Sequence, residues 1–376
     1  MKHDFYKTEP FPDVPLESWQ DSGWQIRKSF KTQQDFESYF VLSPNESEGF
    51  QGLNQVFRVQ ATPYYVRLAS PTNVNCPIRK IILPQKQELE LGAQQMLDPL
   101  GENQNRPARR IIHRYQDRVL FLVTDFCSVY CRYCTRKHFT GQDQVFPKSN
   151  EYQQALEYIK THPEICEVIL SGGDPLTLSN SRIEQVLSDV RSIDHVEIIR
   201  VGSRMPTVCP MRVSPGLVEI LKKYSPLFFM THFNHPKEIT FEAKQAIDLL
   251  VDNGIPVFNQ MVFLKGVNDN TNTVRTLNRK LLYCRVKPYY MFQCDPSMGT
   301  DHLRTTIASS EKIQRELWGH SSGLSMPNLS VDIPGGGGKV ALVPNFELNR
   351  GDGYRSYRGF DGIESQYIDP KNKEYN

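Results

Sequence analysis

The chain has 376 residues, 39% hydrophobic and 23% charged, with 25 Pro and 23 Gly dispersed along it; this excludes a disordered or collagenous protein and leaves room for two modest domains or one α/β barrel with additions. The 44 Lys and Arg against 42 Asp and Glu give a formal charge of +2, so no basic footprint points to nucleic acid or an anionic membrane. No apolar run approaches the ~18 residues of a membrane span, the first ten residues lack a secretory leader's apolar stretch, and 8 cysteines are too few for a disulfide scaffold, so a cytoplasmic protein in a reducing compartment is expected.

In chain order, residues 1–110 read as a helical N-terminal region, with helical patches around Asp35–Phe40 and Gln85–Leu97 and a polar link over Gly101–Arg110. Arg118–Thr124 then reads as a strand. Further β-branched and aromatic runs end near Leu170, Val201, Met230, Phe258 and Phe292, and Leu329–Ile333 reads as one more strand. Helical patterns separate them: Ile183, Val186, Leu187 and Val190 recur at helical spacing, as do Leu217, Ile220, Leu221 and Tyr224, and Ala243, Ala246, Ile247 and Leu250. Ser214 and Pro215 start the second of these and Asn253-Gly254 stops the third. A unit of ~30 residues is the length of a βαβ step. Six or seven such steps over 111–344 predict a whole or partial (β/α) barrel, with an open doubly wound sheet as the alternative. Polar residues and glycines where strands should end favour the barrel, because its strand ends share one mouth: Thr124-Asp125, Gly172-Gly173-Asp174, Gly202-Ser203-Arg204, His232, Gln260, Asp295 and Asp332. Residues 345–376 form a short tail.

Directly after the first strand comes Cys127-Ser-Val-Tyr-Cys131-Arg-Tyr-Cys134. Three soft thiolates on one loop suit an iron–sulfur cluster and would leave one iron open; a zinc site completed by His138 is the alternative. Asp332-Ile-Pro-Gly335-Gly-Gly-Gly338-Lys339 offers close backbone approach to a ligand but is no nucleotide P-loop, since Ile333 and Val340 stand where Gly and Ser or Thr are required. Lys339 would form a Schiff base if desolvated; otherwise it is a solvated lysine behind a hinge. Ser171-Gly-Gly-Asp174 is either a ligand-binding turn or an ordinary βα turn, and Arg114 and Arg118 around Tyr115 make a phosphate clamp or surface charge.

These motifs, with HRYQDRVLFLVTDFCSVYCRYCTRKHFTG, THFNHPKEIT, GVND, QCDPSMG, HSSG and ATPYY, occur in one order between Trp19 and Pro344. Together they resemble the lysine 2,3-aminomutase family of radical S-adenosylmethionine enzymes. The resemblance implies a radical SAM partial barrel of about six parallel β/α units behind a helical N-terminal region through which members self-associate as homodimers. It implies that Cys127, Cys131 and Cys134 hold a 4Fe–4S cluster, that Gly172, Gly173, Asp174, His232 and Gln260 line S-adenosylmethionine, and that Lys339 carries pyridoxal phosphate with Arg114, Tyr115 and Arg118 near its phosphate. Arg136 would meet the substrate carboxylate, and Asp295 and Asp332 the far amino group of L-lysine, which would become β-lysine. A small amino acid and a one-electron reductant of flavodoxin or ferredoxin type are the implied partners.

Two departures stand out. Asn270 occupies a position where zinc-binding members have cysteine, and the tail after Gly359 has no cysteine, so a structural zinc is expected to be absent. A short, zinc-free chain is similar to the branch that supplies β-lysine for modifying elongation factor P. Pro296 follows Asp295 where leucine is usual. Cys76, Cys166, Cys209, Cys284 and Cys294 lack ligand spacing and are expected to be buried. The same chemistry on arginine or glutamate, or a cluster-binding module without turnover, are the competing readings.

Overall fold

A computed structural model describes residues 4–52, 57–90, 92–137, 139–140 and 145–370. Among these, nine strands hydrogen-bond in chain order: β1 (Ile111–Tyr115), β2 (Arg118–Thr124), β3 (Glu167–Gly172), β4 (Ile198–Gly202), β5 (Leu227–Thr231), β6 (Val257–Val262), β7 (Lys287–Phe292), β8 (Asn328–Ile333) and β9 (Gly338–Ala341). Strands β2 to β8 are parallel, and β1 and β9 run antiparallel to their neighbours at the two edges. The edges meet through side chains: the Lys339 amide donates to Tyr115 Oη at 3.0 Å, and Arg114 on β1 pairs with Asp332 on β8 at 3.2 Å. The result is a partial barrel, as expected.

Each parallel crossover carries a helix, at Ser149–Lys160, Asn180–Arg191, Pro215–Lys223, Phe241–Asp252, Thr271–Tyr283 and Ile307–Leu317. Two bury in full the stripes read from the sequence, Ile183, Val186, Leu187 and Val190 and Ala243, Ala246, Ile247 and Leu250; of the other stripe Leu217, Leu221 and Tyr224 are buried and Ile220 is half-buried. An apolar side chain so buried contributes about 1.5–3 kcal/mol. Ser214 caps its helix by accepting from the Leu217 amide at 3.3 Å, and Gly254 closes another with a φ of 77°. Strand periodicity sorts the other layer. Val168, Leu170, Ile199, Val201 and Met261 are buried towards the helices, while the alternate residues Ile169, Ser171, Arg200, Gly202, Gln260 and Val262 face the barrel interior.

The N-terminal region is helical in short pieces and shares one continuous core with the barrel, from Trp19 through Tyr64 and Phe233 to Leu329. Its patch at Gln33–Glu37 matches expectation, with Thr32 closing a capping box. The patch expected over Gln85–Leu97 does not: among its described residues only Lys86–Leu89 makes a turn of 3₁₀ helix. The tail adds a separate antiparallel sheet of β10 (Glu347–Gly351), β11 (Tyr354–Arg358) and β12 (Glu364–Ile368). Among the described residues, no helix is long and apolar enough to cross a membrane.

Candidate functional site

The barrel interior holds a cavity of about 500 Å³, lined by residues from the cluster loop, from most of the parallel strands, and from β1 and β9. Every residue to which the family resemblance gives a role reaches it: Cys127, Cys131, Cys134, Arg136, Gly172, Gly173, Asp174, His232, Gln260, Asp295, Asp332, Arg114, Tyr115, Arg118 and Lys339; Thr124, Asp125 and the Gly335–Gly338 run, also read from the sequence, do not line it. His138, the alternative zinc ligand, lies outside the described residues.

The cysteine loop is pinned from the N-terminal region. Gln60 Nε2 donates to the Cys127 carbonyl at 2.9 Å, and Gln60 and Ile81 carbonyls accept from the Tyr130 and Arg132 amides. Buried Arg132 is paired with Glu88 and also donates to the Arg58 carbonyl. The three thiols are free of disulfides and share one wall of the cavity. Burial pushes the Cys127 and Cys134 thiols up, a cost that a bound metal removes by holding thiolate. Among the described residues no three His, Cys, Asp or Glu stand close enough to share a single metal ion. Three free thiols on one loop that line one cavity are a donor set that fits an iron–sulfur cluster.

Behind this loop lies a network that the sequence did not advertise. Arg204 Nη1 donates to Cys131 Sγ at 2.6 Å, while Nη2 donates to Tyr65 Oη and Glu238 Oε1, both at 2.7 Å. Glu238 also accepts from the Asn234 and His235 amides. His232 stacks on Tyr133, whose hydroxyl lies 2.7 Å from its Nε2. Burial and then the nearby Arg204 cation push the His232 imidazole down to about 3, so it is neutral.

The Gly-Gly-Asp turn does more than admit a ligand. Gly172 has a φ of 123°, and a Cβ there would lie 2.2 Å from the Thr124 carbonyl oxygen; one at Gly173 would lie 2.2 Å from that of Phe126. These glycines let β3 close onto the end of β2 just before Cys127. Asp174 is already engaged: its carboxylate accepts from Leu176 N, Ser203 Oγ and Arg204 N. It therefore ties the turn to the β4 end.

At the other wall, Lys339 sits on β9 itself rather than in a loop, because the four glycines end in a strand. Its ammonium lies 3.7 Å from Asp332 and 5.6 and 5.5 Å from the ring centroids of Tyr115 and Phe292. Arg114 also pairs with Asp332, whereas Arg118 pairs with Asp117 and stacks on Tyr115 at 4.4 Å. An amine between two aromatic faces with two guanidinium groups nearby suits a planar, phosphorylated aldehyde. Asp295 is pushed up to about 7, first by burial and then by Asp332, with Lys339 and Arg114 offsetting part of the rise.

Arg136 is not free, contrary to the simplest expectation. It makes a bidentate pair with buried Glu102 and donates to Ser171 Oγ at 3.0 Å. Glu102, Tyr133 and Arg200 were missed by sequence reasoning, and Arg204 was read only as a strand-end residue of the mouth. Of the three missed, only Arg200 carried a signal, a charge flanked by Ile199 and Val201 on a buried strand. Asn270 caps the helix at Thr271–Tyr283 by accepting from Thr273 N at 2.9 Å. Cys76, Cys209, Cys284 and Cys294 are buried, but Cys166 is a correction: it follows the last turn before β3 and is partly exposed, with Sγ 3.4 Å from the Asp117 carbonyl.

Residues 121–277 match the family model of the radical SAM superfamily, and residues 314–376 match that of lysine-2,3-aminomutase. The chain is 42% identical over 362 residues to an L-lysine 2,3-aminomutase of Fusobacterium nucleatum, covering 96% of this chain and 85% of that protein. With the L-lysine 2,3-aminomutase of Acetoanaerobium sticklandii it shares 43% over 364 residues, 97% of this chain and 88% of the other. A glutamate 2,3-aminomutase of Clostridioides difficile is 37% identical over 346 residues, 92% of this chain and 82% of its own length.

Proposed function

We propose an activity from the premise that the chain belongs to the lysine 2,3-aminomutase family of radical S-adenosylmethionine enzymes, and is thus an isomerase. The proposal is that its substrate is L-lysine, whose α-amino group moves to C3 to give β-lysine. The observation that carries this reading is the pair Asp295 and Asp332 beside Lys339 in the same cavity as Arg136: two carboxylates for a second ammonium and one guanidinium for a carboxylate. A glutamate side chain would bring a further anion against that pair, whose neighbouring cations Arg114 and Lys339 are already engaged by Asp332.

When bound, the iron–sulfur cluster with S-adenosylmethionine supplies the radical that an unactivated C–H bond requires, and pyridoxal phosphate supplies the carrier for migrating nitrogen. The chain's part is to hold and orient. Cys127, Cys131 and Cys134 present thiolates to iron; Gly172, Gly173, Asp174, His232 and Gln260 line the space beside them. Lys339 offers its amine to pyridoxal phosphate, with Arg114, Tyr115 and Arg118 around it. Arg136 orients the substrate carboxylate, and Asp295 and Asp332 hold its distal ammonium. Asn270, an N-cap where the resemblance calls for cysteine, supports the branch that feeds elongation factor P.

Asp295 makes lysine affinity depend on pH. Its carboxyl is raised to about 7 in the free protein, and an ammonium binds the deprotonated form. Apparent affinity should therefore be flat above neutrality and fall about tenfold per pH unit below it. The same shift costs fold stability: the Asp295 contribution is full below the ordinary carboxylate range and lost as pH rises through about 7. Asp295→Asn should weaken lysine binding and flatten the profile. An unflattened profile would assign the pH dependence elsewhere.

The function is tested by anaerobic reconstitution with iron, sulfide and pyridoxal phosphate, then reductant, S-adenosylmethionine and equimolar lysine, arginine and glutamate. A β-lysine product, with borohydride fixing a pyridoxyl group on Lys339, is the expected result. β-Arginine or β-glutamate instead would move the substrate and keep the class; no β-isomer from a fully loaded protein would end the reading.

A further inference from the structure

Glu102 belongs to the segment between the N-terminal helices and β1, yet it reaches into the barrel cavity and its side chain is 1% exposed. Its carboxylate takes Arg136 along one edge: Nε lies 2.9 and 3.1 Å from the two oxygens and Nη2 lies 2.7 Å from Oε1. Ser171 on β3 takes one N–H of Nη1 at 3.0 Å. A guanidinium has five N–H groups. Among the described residues this leaves one N–H on Nη1 and one on Nη2, the two nitrogens of the end-on edge by which a guanidinium grips a carboxylate. Burial works against the Arg136 charge, but Glu102, together with the nearby Cys134 and Cys127 thiols, outweighs it and holds the guanidinium above its ordinary value.

The turn that carries Glu102 is itself fixed. Asp98 accepts from the Glu102 and Asn103 amides at 2.9 and 2.8 Å. The same turn holds the glycine run before Lys339: the Pro99 carbonyl accepts from Gly335 N at 3.0 Å, and Gln104 Nε2 donates to the Gly335 carbonyl at 2.9 Å. Residues 98–104 thus touch both the carboxylate clamp and the glycine turn that leads into the strand bearing the lysine.

We infer that Glu102 is a positioning residue, which fixes the Arg136 guanidinium by one edge so that its free end-on edge meets the substrate carboxylate. This rests on the reading of Arg136 as that carboxylate's partner. A charge-assisted bidentate pair that sets the angle of a second one governs the affinity of ligands with a carboxylate and is indifferent to ligands without one.

The test is calorimetric binding to the reconstituted holoenzyme without S-adenosylmethionine, using L-lysine and 1,5-diaminopentane, which is lysine without its carboxylate. Glu102→Gln should weaken lysine by about 10- to 100-fold and the diamine by less than about threefold. In an Arg136→Gln background it should add less than about threefold to the lysine loss. Equal weakening of both ligands, or an undiminished effect in that background, would overturn the proposal while leaving the Arg136 reading intact. If Arg136→Gln alone leaves lysine affinity unchanged, the Arg136 reading falls and the proposal with it. Should Glu102→Gln not fold, Glu102→Asp decides. It keeps the buried charge but withdraws it from bidentate reach, so the same lysine-only loss is expected, and loss on both ligands or on neither overturns the proposal.

Discussion

Serine at Cys131 is expected to leave a folded protein with an incomplete iron complement and turnover reduced by about four orders of magnitude or more. Serine is the informative choice because Cys131 also has a structural partner, the Arg204 guanidinium at 2.6 Å. A hydroxyl oxygen still accepts that N–H, whereas alanine would strand a buried donor and cost about 1–3 kcal/mol through packing alone. The rest of the Arg204 network, through Glu238 and Tyr65, is untouched by the change. Melting by scanning calorimetry should therefore shift little in the apoprotein, while iron analysis and the electron paramagnetic resonance signal of the reduced protein should collapse. Full iron content with retained turnover would show that Cys131 is not a ligand. A large loss of apoprotein stability would show that sulfur, not merely an acceptor, is needed by Arg204.

The contrast between Cys131 and Arg204 shows what the sequence can disclose. Cys127, Cys131 and Cys134 are neighbours in the chain, so their spacing is visible before any fold exists. The parallel strands and their helices were legible for a similar reason: hydrophobic period is a local property, and β2 spans Arg118–Thr124 as read. Edge strands carry less of it. β1 is Ile111–Tyr115, with only its first two residues buried, and β9 has three exposed residues of four; neither alternates strongly enough to be read. β6 runs on to Val262 beyond the apolar stretch at Phe258, which places Gln260 inside the strand rather than past its end. Glu102 was invisible, and Arg204 was legible only as a position in the mouth, because their meaning depends on partners 34 and 73 residues away, brought together by the barrel closing. Asp174 was legible as a position in the mouth but not as a residue already engaged by Ser203 and Arg204.

Alanine at Gly173 is expected to damage the site as severely as loss of a ligand, by a purely steric route. The added Cβ would stand 2.2 Å from the Phe126 carbonyl oxygen, 2.6 Å from its carbon and 2.8 Å from its nitrogen. All are backbone atoms, so no side-chain rotation relieves the clash. The two segments are also tied by hydrogen bonds, Gly173 N to the Thr124 carbonyl at 2.7 Å and Asp174 N to the Phe126 carbonyl at 2.8 Å. Relief therefore means breaking those bonds or shifting residues 124–126, and the next residue is Cys127. A cost of about 3–4 kcal/mol is expected, with iron uptake falling because the first thiol moves relative to the other two. Gly202 supplies the control. It lines the same cavity, but a Cβ there would meet only the Leu170 carbonyl oxygen at 3.6 Å, so Gly202→Ala should cost no more than about 1 kcal/mol and leave iron content unchanged. Denaturant midpoints and iron content for the two variants side by side decide the matter. If they are indistinguishable in both measures, the close approach of β3 to the cysteine loop is not what the glycine pair provides, and ligand access alone would account for it.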